Sequence, residues 1–170
     1  AESVIASACA AGAFDELGLH RAAAALEEGT EKDQERAAAI RAWLDDPDGR
    51  EGNFLGTYDR LFLTKEGAPR SERTLMTKAV RDAEPGVFEV MIEEQARVFA
   101  VHERLRATAV AASTAALLTI GEALLAAYGA LKDERALLDY DDLIDAARRL
   151  LADDGRAAWV HYKLDGGIDH

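Results

Sequence analysis

The sequence predicts an all-α, multi-helix fold with one or two long helices, and three observations carry that prediction. Hydrophobic residues fill 49% of the 170 positions but Phe, Trp and Tyr only 6%, so Ala and Leu dominate the apolar content and tilt it toward helix. From Pro85 to about Glu134 no second proline occurs, and beyond the opening Pro85-Gly86 pair only Gly121 and Gly129 interrupt a run rich in Ala, Leu, Glu and Arg. Within that run Val87, Val90, Met91, Glu94, Val98 and Val101 keep the i, i+3, i+4 spacing of one buried helix face.

Residues 2 to 45 fit three or four short helices, with Gly12, Gly18 and Gly29 as breaks between them. Thr30 stands where an N-cap belongs and Asp33 falls in the first turn behind it. Ala37, Ile40, Ala42, Trp43 and Leu44 then lay an apolar stripe, with Trp43 as a core anchor. Residues 45 to 56 are turn chemistry and predict a solvated loop. Their acids do not make a calcium loop, because Gly49 and Glu51 miss the positions where an EF-hand needs its glycine and its terminal glutamate. Tyr58, Leu61, Phe62 and Leu63, followed by Thr64 to Arg70, predict a short extended hairpin near 57–70 that turns at Gly67.

The run from Pro85 is one long helix or two joined by a kink, and Leu117, Leu118, Ile120, Leu124, Leu125 and Tyr128 resume its apolar face. At about 1.5 Å per residue a helix of about 45 residues reaches about 65 Å, more than a compact domain of this size is wide. An arm or a neighbouring domain is expected to cover it. Asp139 is placed as an N-cap with Asp142 at the third helical position, ahead of Leu143, Ile144, Ala147, Leu150 and Leu151. Asp154-Gly155 closes that helix. A shorter one over 156–164 carries Trp159, Val160 and Tyr162 on its apolar side and stops at Gly166-Gly167.

A chain of this length fits a single helical domain, 1–170. The formal net charge of −12 repels phosphate and argues against a free-standing nucleic-acid-binding domain, so any such contact has to be local. One segment qualifies. From Arg60 to Arg81 the bases Arg60, Lys65, Arg70, Arg73, Lys78 and Arg81 face only the acids Glu66 and Glu72. Of these, Lys65, Arg70, Arg73 and Lys78 are the candidates to meet phosphates, and the competing reading is an ordinary solvated face. A lone cysteine, Cys9, fits a reducing compartment. No apolar run approaches a membrane span and no signal-peptide pattern opens the chain, so the expectation is a soluble, cytoplasmic protein without a membrane partner.

Catalytic chemistry has little to stand on. There is no Gly-x-x-x-x-Gly-Lys-Ser/Thr to cradle a triphosphate, so the chain by itself is expected to be no ATPase. The four histidines lack metal-ligand spacing and the serines lack a nucleophile elbow, so neither a catalytic residue nor a metal site is assigned. The carboxylates Asp139, Asp141, Asp142 and Asp145 read as a helix cap rather than a metal cluster.

Two motifs carry a family resemblance. Leu137-Leu138-Asp139-Tyr140-Asp141-Asp142-Leu143-Ile144, followed by an aromatic helix and Asp165-Gly166-Gly167-Ile168-Asp169-His170, resembles the stretch that leads into the Walker B strand of UvrD-like superfamily 1 DNA helicases. Leu63-Thr64-Lys65-Glu66-Gly67-Ala68-Pro69-Arg70 is similar to the Leu-Thr-Lys-x-Gly-x-Pro-Arg of AddA subunits of bacterial AddAB helicase-nucleases. The two stand in that family's order with a long helical region between them, while residues 1 to 55 match in composition only. Tyr140 stands where the family more often has Phe.

The resemblance implies an internal piece of such a subunit. It would comprise the helical insertion of the first RecA-like domain, called 1B, and a return segment over 137–170, ending just before an apolar strand with Asp-Glu-Ala-Gln-Asp. The whole subunit would be an ATP-dependent helicase-nuclease using ATP and magnesium, acting on single- and double-stranded DNA in double-strand break repair with an AddB-type subunit. The piece itself would be non-catalytic, bind no cofactor and wall the single-strand channel, with Asp139, Tyr140, Asp141 and Asp142 as a structural motif. The alternative from a different class is an independent acidic helical module that docks a basic protein partner.

Overall fold

The computed structural model describes residues 1–152 and 154–165. Helix runs through most of them, and among the described residues there is no β-sheet, only an isolated antiparallel bridge between Leu63 and Pro69. The chain divides into two compact units, Ala1–Thr114 and Ala115–His170.

The first unit opens with α1 (Glu2–Cys9), α2 (Glu16–Glu27) and α3 (Glu31–Leu44), and α2 packs against α3. Gly18 does not break α2. It lies in the first turn, its N–H donating to Asp15 Oδ1 at 2.9 Å, and the break before α2 falls at residues 10–15 instead, where Gly12 takes φ 79°. Thr30 and Asp33 form the expected capping box at the head of α3.

The predicted loop over 45–56 is in part helical. After a turn, α4 (Arg50–Asn53) buries Arg50, whose guanidinium donates to the carbonyls of Trp43 (3.2 Å) and Leu44 (2.6 Å) and pairs with Glu16 at 2.8 Å. A cation on the last carbonyls of α3 meets the negative end of the helix dipole, which is why this charge tolerates burial. Between α4 and α5 (Asp59–Phe62) the backbone makes a type II turn, with Leu55 at φ −84°, ψ 133° and Gly56 at φ 84°, ψ −14°, a conformation that asks for glycine. Tyr58 to Phe62 are therefore helical, not extended, and the predicted hairpin shrinks to residues 63–70. The apolar members of 54–62 recur at helical spacing, so Phe54, Tyr58 and Phe62 are all buried on one side.

Two short helices, α6 (Glu72–Leu75) and α7 (Lys78–Ala83), lead into α8 (Pro85–Arg135), a single helix of 51 residues. Its first turns carry the expected face, with Val87, Met91, Glu94, Val98 and Val101 buried and Val90 half-buried. Aromatic rings fill the centre of the unit, where Trp43 stacks on Tyr58 at 3.8 Å between centroids and Phe14 tilts against Trp43 at 4.8 Å. A polar layer threads it. Tyr58 O–H donates to Glu94 Oε1 (2.7 Å), and Arg97 grips both Glu94 oxygens (2.6 and 2.7 Å) while donating to Ala8 O at the end of α1 (2.8 Å). The half-buried ring of His102 lies 3.0 Å from buried Asp59, whose other oxygen accepts the Gly56 N–H.

In the second unit the later stripe of α8 is not buried. Leu117, Leu118, Ile120, Leu124, Leu125 and Tyr128 are exposed. The sequence between Arg106 and Lys132 holds one formal charge, Glu122, and α8 is long and apolar enough to cross a membrane by length and composition. That corrects the expectation that no run approaches such a length, which underrated a stretch whose hydrophobicity is spread over many alanines. The helix ends in a Schellman motif, with Leu137 N–H donating to Lys132 O (3.0 Å), Ala136 N–H to Asp133 O (3.2 Å) and Ala136 at φ 48°. Then come α9 (Tyr140–Ala152) and α10 (Asp154–Asp165). Asp154 opens α10, where the sequence suggested a closing turn. The stop at Gly166-Gly167 and the rest of the Asp-Gly-Gly-Ile-Asp-His ending lie outside the described residues.

Candidate nucleic-acid interface

The basic segment is organised around the hairpin of residues 63–70. Thr64 N–H donates to Ala68 O (2.7 Å), Gly67 N–H to Thr64 O (3.0 Å) and Arg70 N–H to Phe62 O (2.9 Å). Gly67 takes φ 81°, a left-handed conformation that favours glycine.

Helix α8 holds the hairpin at both ends. Gln95, buried on the apolar face of α8, donates from one amide nitrogen to Phe62 O (2.8 Å) and Arg70 O (2.9 Å), clamping the base. Arg106, paired with Glu103 at 2.6 Å, donates to Glu66 O (3.4 Å) near the tip. Composition did not single out Gln95 or Arg106. The available signal for Gln95 was a polar residue one turn from both Met91 and Val98 on a stripe that has to be buried.

The four candidate cations fare differently. Lys65 is exposed at the turn, Arg73 is exposed on α6, and among the described residues neither meets a carboxylate. Arg70 is half-buried; its Nε donates to Arg60 O (2.9 Å), and Arg60 in turn donates to Thr64 O (2.8 Å), so two guanidiniums sit along one edge of the hairpin. Lys78, on α7, pairs with Asp82 at 2.5 Å and carries a compensated charge. Hydrogen bonding to Lys78 keeps Asp82 below the usual carboxylate range.

The acidic motif is a cap. Asp142 N–H donates to Asp139 Oδ1 and Asp139 N–H to Asp142 Oδ2, both at 2.9 Å. Lys132 Nζ sits 2.6 Å from Asp142 and 3.1 Å from Asp139, and Tyr128 O–H donates to Asp139 Oδ2 at 3.1 Å. The Asp142 N–H and then Lys132 pull Asp139 down to about 2, while Asp142 first and Asp139 next hold Lys132 above its ordinary value. Tyr140 and Asp141 are exposed beside the cap.

The oxygens of Asp139 and Asp142 are committed to N–H groups and to an ammonium. Among the described residues no group of three or more His, Cys, Asp or Glu is placed to hold a metal ion. No protein-family model, no curated protein and no solved structure matches the chain.

Proposed function

We propose that this chain is a non-catalytic helical accessory segment of an AddA-like, UvrD-type DNA helicase-nuclease subunit, helping to form the path of a single strand in double-strand break repair. The observation that supports this reading most is the hairpin. In a chain of charge −12 it carries Lys65 and Arg70, with Arg73 just behind, free of carboxylate partners among the described residues and fixed to α8 by Gln95. Uncompensated cations on a pinned backbone suit phosphate contact, which is electrostatic and indifferent to base sequence. ATP, magnesium and an AddB-type partner belong to the rest of such a subunit, working in the cytoplasm.

Fluorescence anisotropy with a labelled single-stranded oligonucleotide at low and moderate salt tests the proposal. Salt-sensitive binding that disappears when Lys65, Arg70, Arg73 and Lys78 become Ala is the expected result, with Lys65 and Arg73 dominating the loss and Lys78 adding least. Absence of binding at low salt would reject strand contact. The gene offers a second check, since an apolar strand with Asp-Glu-x-Gln-Asp is expected beyond His170 and a P-loop before Ala1.

One observation favours a second reading, an acidic helical module that docks a basic protein. The apolar residues of α9, Leu143, Ile144, Leu150 and Leu151, are exposed on a strongly amphipathic helix together with Trp159 and Tyr162 of α10. Concentration-dependent association with a basic partner and indifference to the oligonucleotide would select it.

A further inference from the structure

Helix α2 ends on the wrong charge. The C-terminus of a helix is the negative end of its dipole and favours a cation, yet α2 has no base in its last turn and runs out through Glu27 and Glu28. Arg41 answers Glu27 at 2.7 Å. Around α7, Lys78 answers Asp82 and Arg81 answers Glu72 at 3.2 Å. Glu28 and Glu84, both exposed, meet no cation among the described residues. These two carboxylates share a groove. One hollow of about 460 Å³ is walled by Ala79, Val80 and Ala83, and a second of about 470 Å³ by Ala24, Val87 and Val90, while Ala25, Glu28 and Glu84 line both. Arg21, Ala24, Ala25 and Glu28 recur at helical spacing, so the groove follows one face of α2 for about 10 Å, two turns at about 1.5 Å per residue.

We propose that this groove docks a basic amphipathic segment of a protein partner, with one Lys or Arg between Glu28 and Glu84 and an aliphatic side chain in the hollow to each side. The order apolar, acidic, apolar along the groove suits a segment better than a small amine, because one face of a helix presents side chains a turn apart in the matching order. The incoming cation supplies the counter-charge that the end of α2 lacks. Arg21 lines the second hollow alone, two turns before Glu28, and repels a further cation at that end. The proposal goes beyond the strand reading, which it does not need. It shares a basic partner with the second reading and seats that partner on the first unit instead of on α9 and α10.

The experiment follows the amide signals of the intact chain by NMR during titration with a synthetic Ala-rich helical peptide that carries Leu, Lys and Leu one turn apart on one face; a twin peptide has Glu in place of Lys. The Lys peptide is expected to move the Ala25, Ala83 and Gly86 amides at low salt, and the Glu peptide to leave them in place. Glu28→Gln combined with Glu84→Gln should weaken binding about tenfold, the worth of two exposed ion pairs together. Gly86→Leu blocks the second hollow and should abolish the response. A Cβ at Gly86 meets nothing within 4 Å, and leucine is the better helix former, so the fold is kept. Unmoved groove amides in the wild-type chain at low salt would overturn the proposal. So would an equal response to both peptides, or substituted proteins that keep both the wild-type urea midpoint and the wild-type affinity. Shifts confined to α9 and α10 would overturn the groove and leave the second reading standing. The same three signals moving with chain concentration in the absence of peptide would make a second copy the occupant and overturn the basic segment.

Discussion

Asp33→Ala should unfold the first unit more readily than any other loss of a single cap in this chain. The carboxylate of Asp33 accepts Thr30 N–H (3.0 Å), Thr30 O–H (2.9 Å) and, 44 residues later, the N–H of Thr77 at the head of α7 (3.2 Å). It is almost fully buried, at 1% exposure. Removing a helix cap costs about 1 kcal/mol, and stranding a buried donor that had a charged acceptor adds about 1.5–3 kcal/mol. Allowing for partial rearrangement, the loss should be about 3 kcal/mol.

Burial opposes the charge on Asp33, but hydrogen bonds from Thr77 and Thr30 outweigh it and keep the carboxyl below its ordinary value of 3.8. A lowered folded-state value means the unfolded chain takes the proton first. The stabilisation is present above about pH 4 and is lost as pH falls through the folded value. Urea unfolding is best followed by Trp43 fluorescence in a Trp159→Phe background, which leaves Trp43 as the sole tryptophan. The gap between Asp33 and Asp33→Ala proteins should be widest near neutrality and narrow toward pH 2. A gap under 1 kcal/mol near neutrality, or one that does not change with pH, would refute the assignment of Asp33 as the tie between α3 and α7.

Arg97→Ala leaves Glu94 buried without its counter-charge and should cost about 3–5 kcal/mol, against about 1–2 kcal/mol for Tyr58→Phe, which removes one hydrogen bond; equal losses in urea unfolding would contradict the ion pair's role. Gln95→Ala frees two carbonyls at the hairpin base and should accelerate amide exchange of Arg70 and Gly67 while leaving α2 and α3 protected; unchanged exchange would show that the clamp is idle. Ala136→Gly relieves a left-handed alanine at the end of α8 and should stabilise the second unit by about 1 kcal/mol, read as slower exchange of the Leu137 amide; faster exchange would count against the Schellman geometry.

The candidate interface was half legible. Lys65, Arg70 and Arg73 stand out in sequence because bases outnumber acids around them, and Gly67 marks the turn. Lys78 was separable in principle, since Asp82 stands four residues on and neutralises it, but a charge balance that stopped at Arg81 left it beside Arg73, which meets no carboxylate among the described residues. Sequence could not supply Gln95, because its partners lie 25 and 33 residues away along the chain.

What the sequence determined by itself is everything that acts within a turn or two. The helical class, the Thr30–Asp33 and Asp139–Asp142 caps and the long run from Pro85 follow from propensity, period and capping, which need no distant partner. Tertiary structure decided which apolar stripes are covered. The same spacing that buries Met91 and Val98 leaves Leu117 and Leu124 exposed, since period fixes which side chains share a face but burial depends on what packs against it. It also decided that Tyr58 to Phe62 coil rather than extend, because a helical turn sends Tyr58 onto Trp43 and Glu94, and that Arg50 enters the core, because the carbonyls at the end of α3 await a cation there.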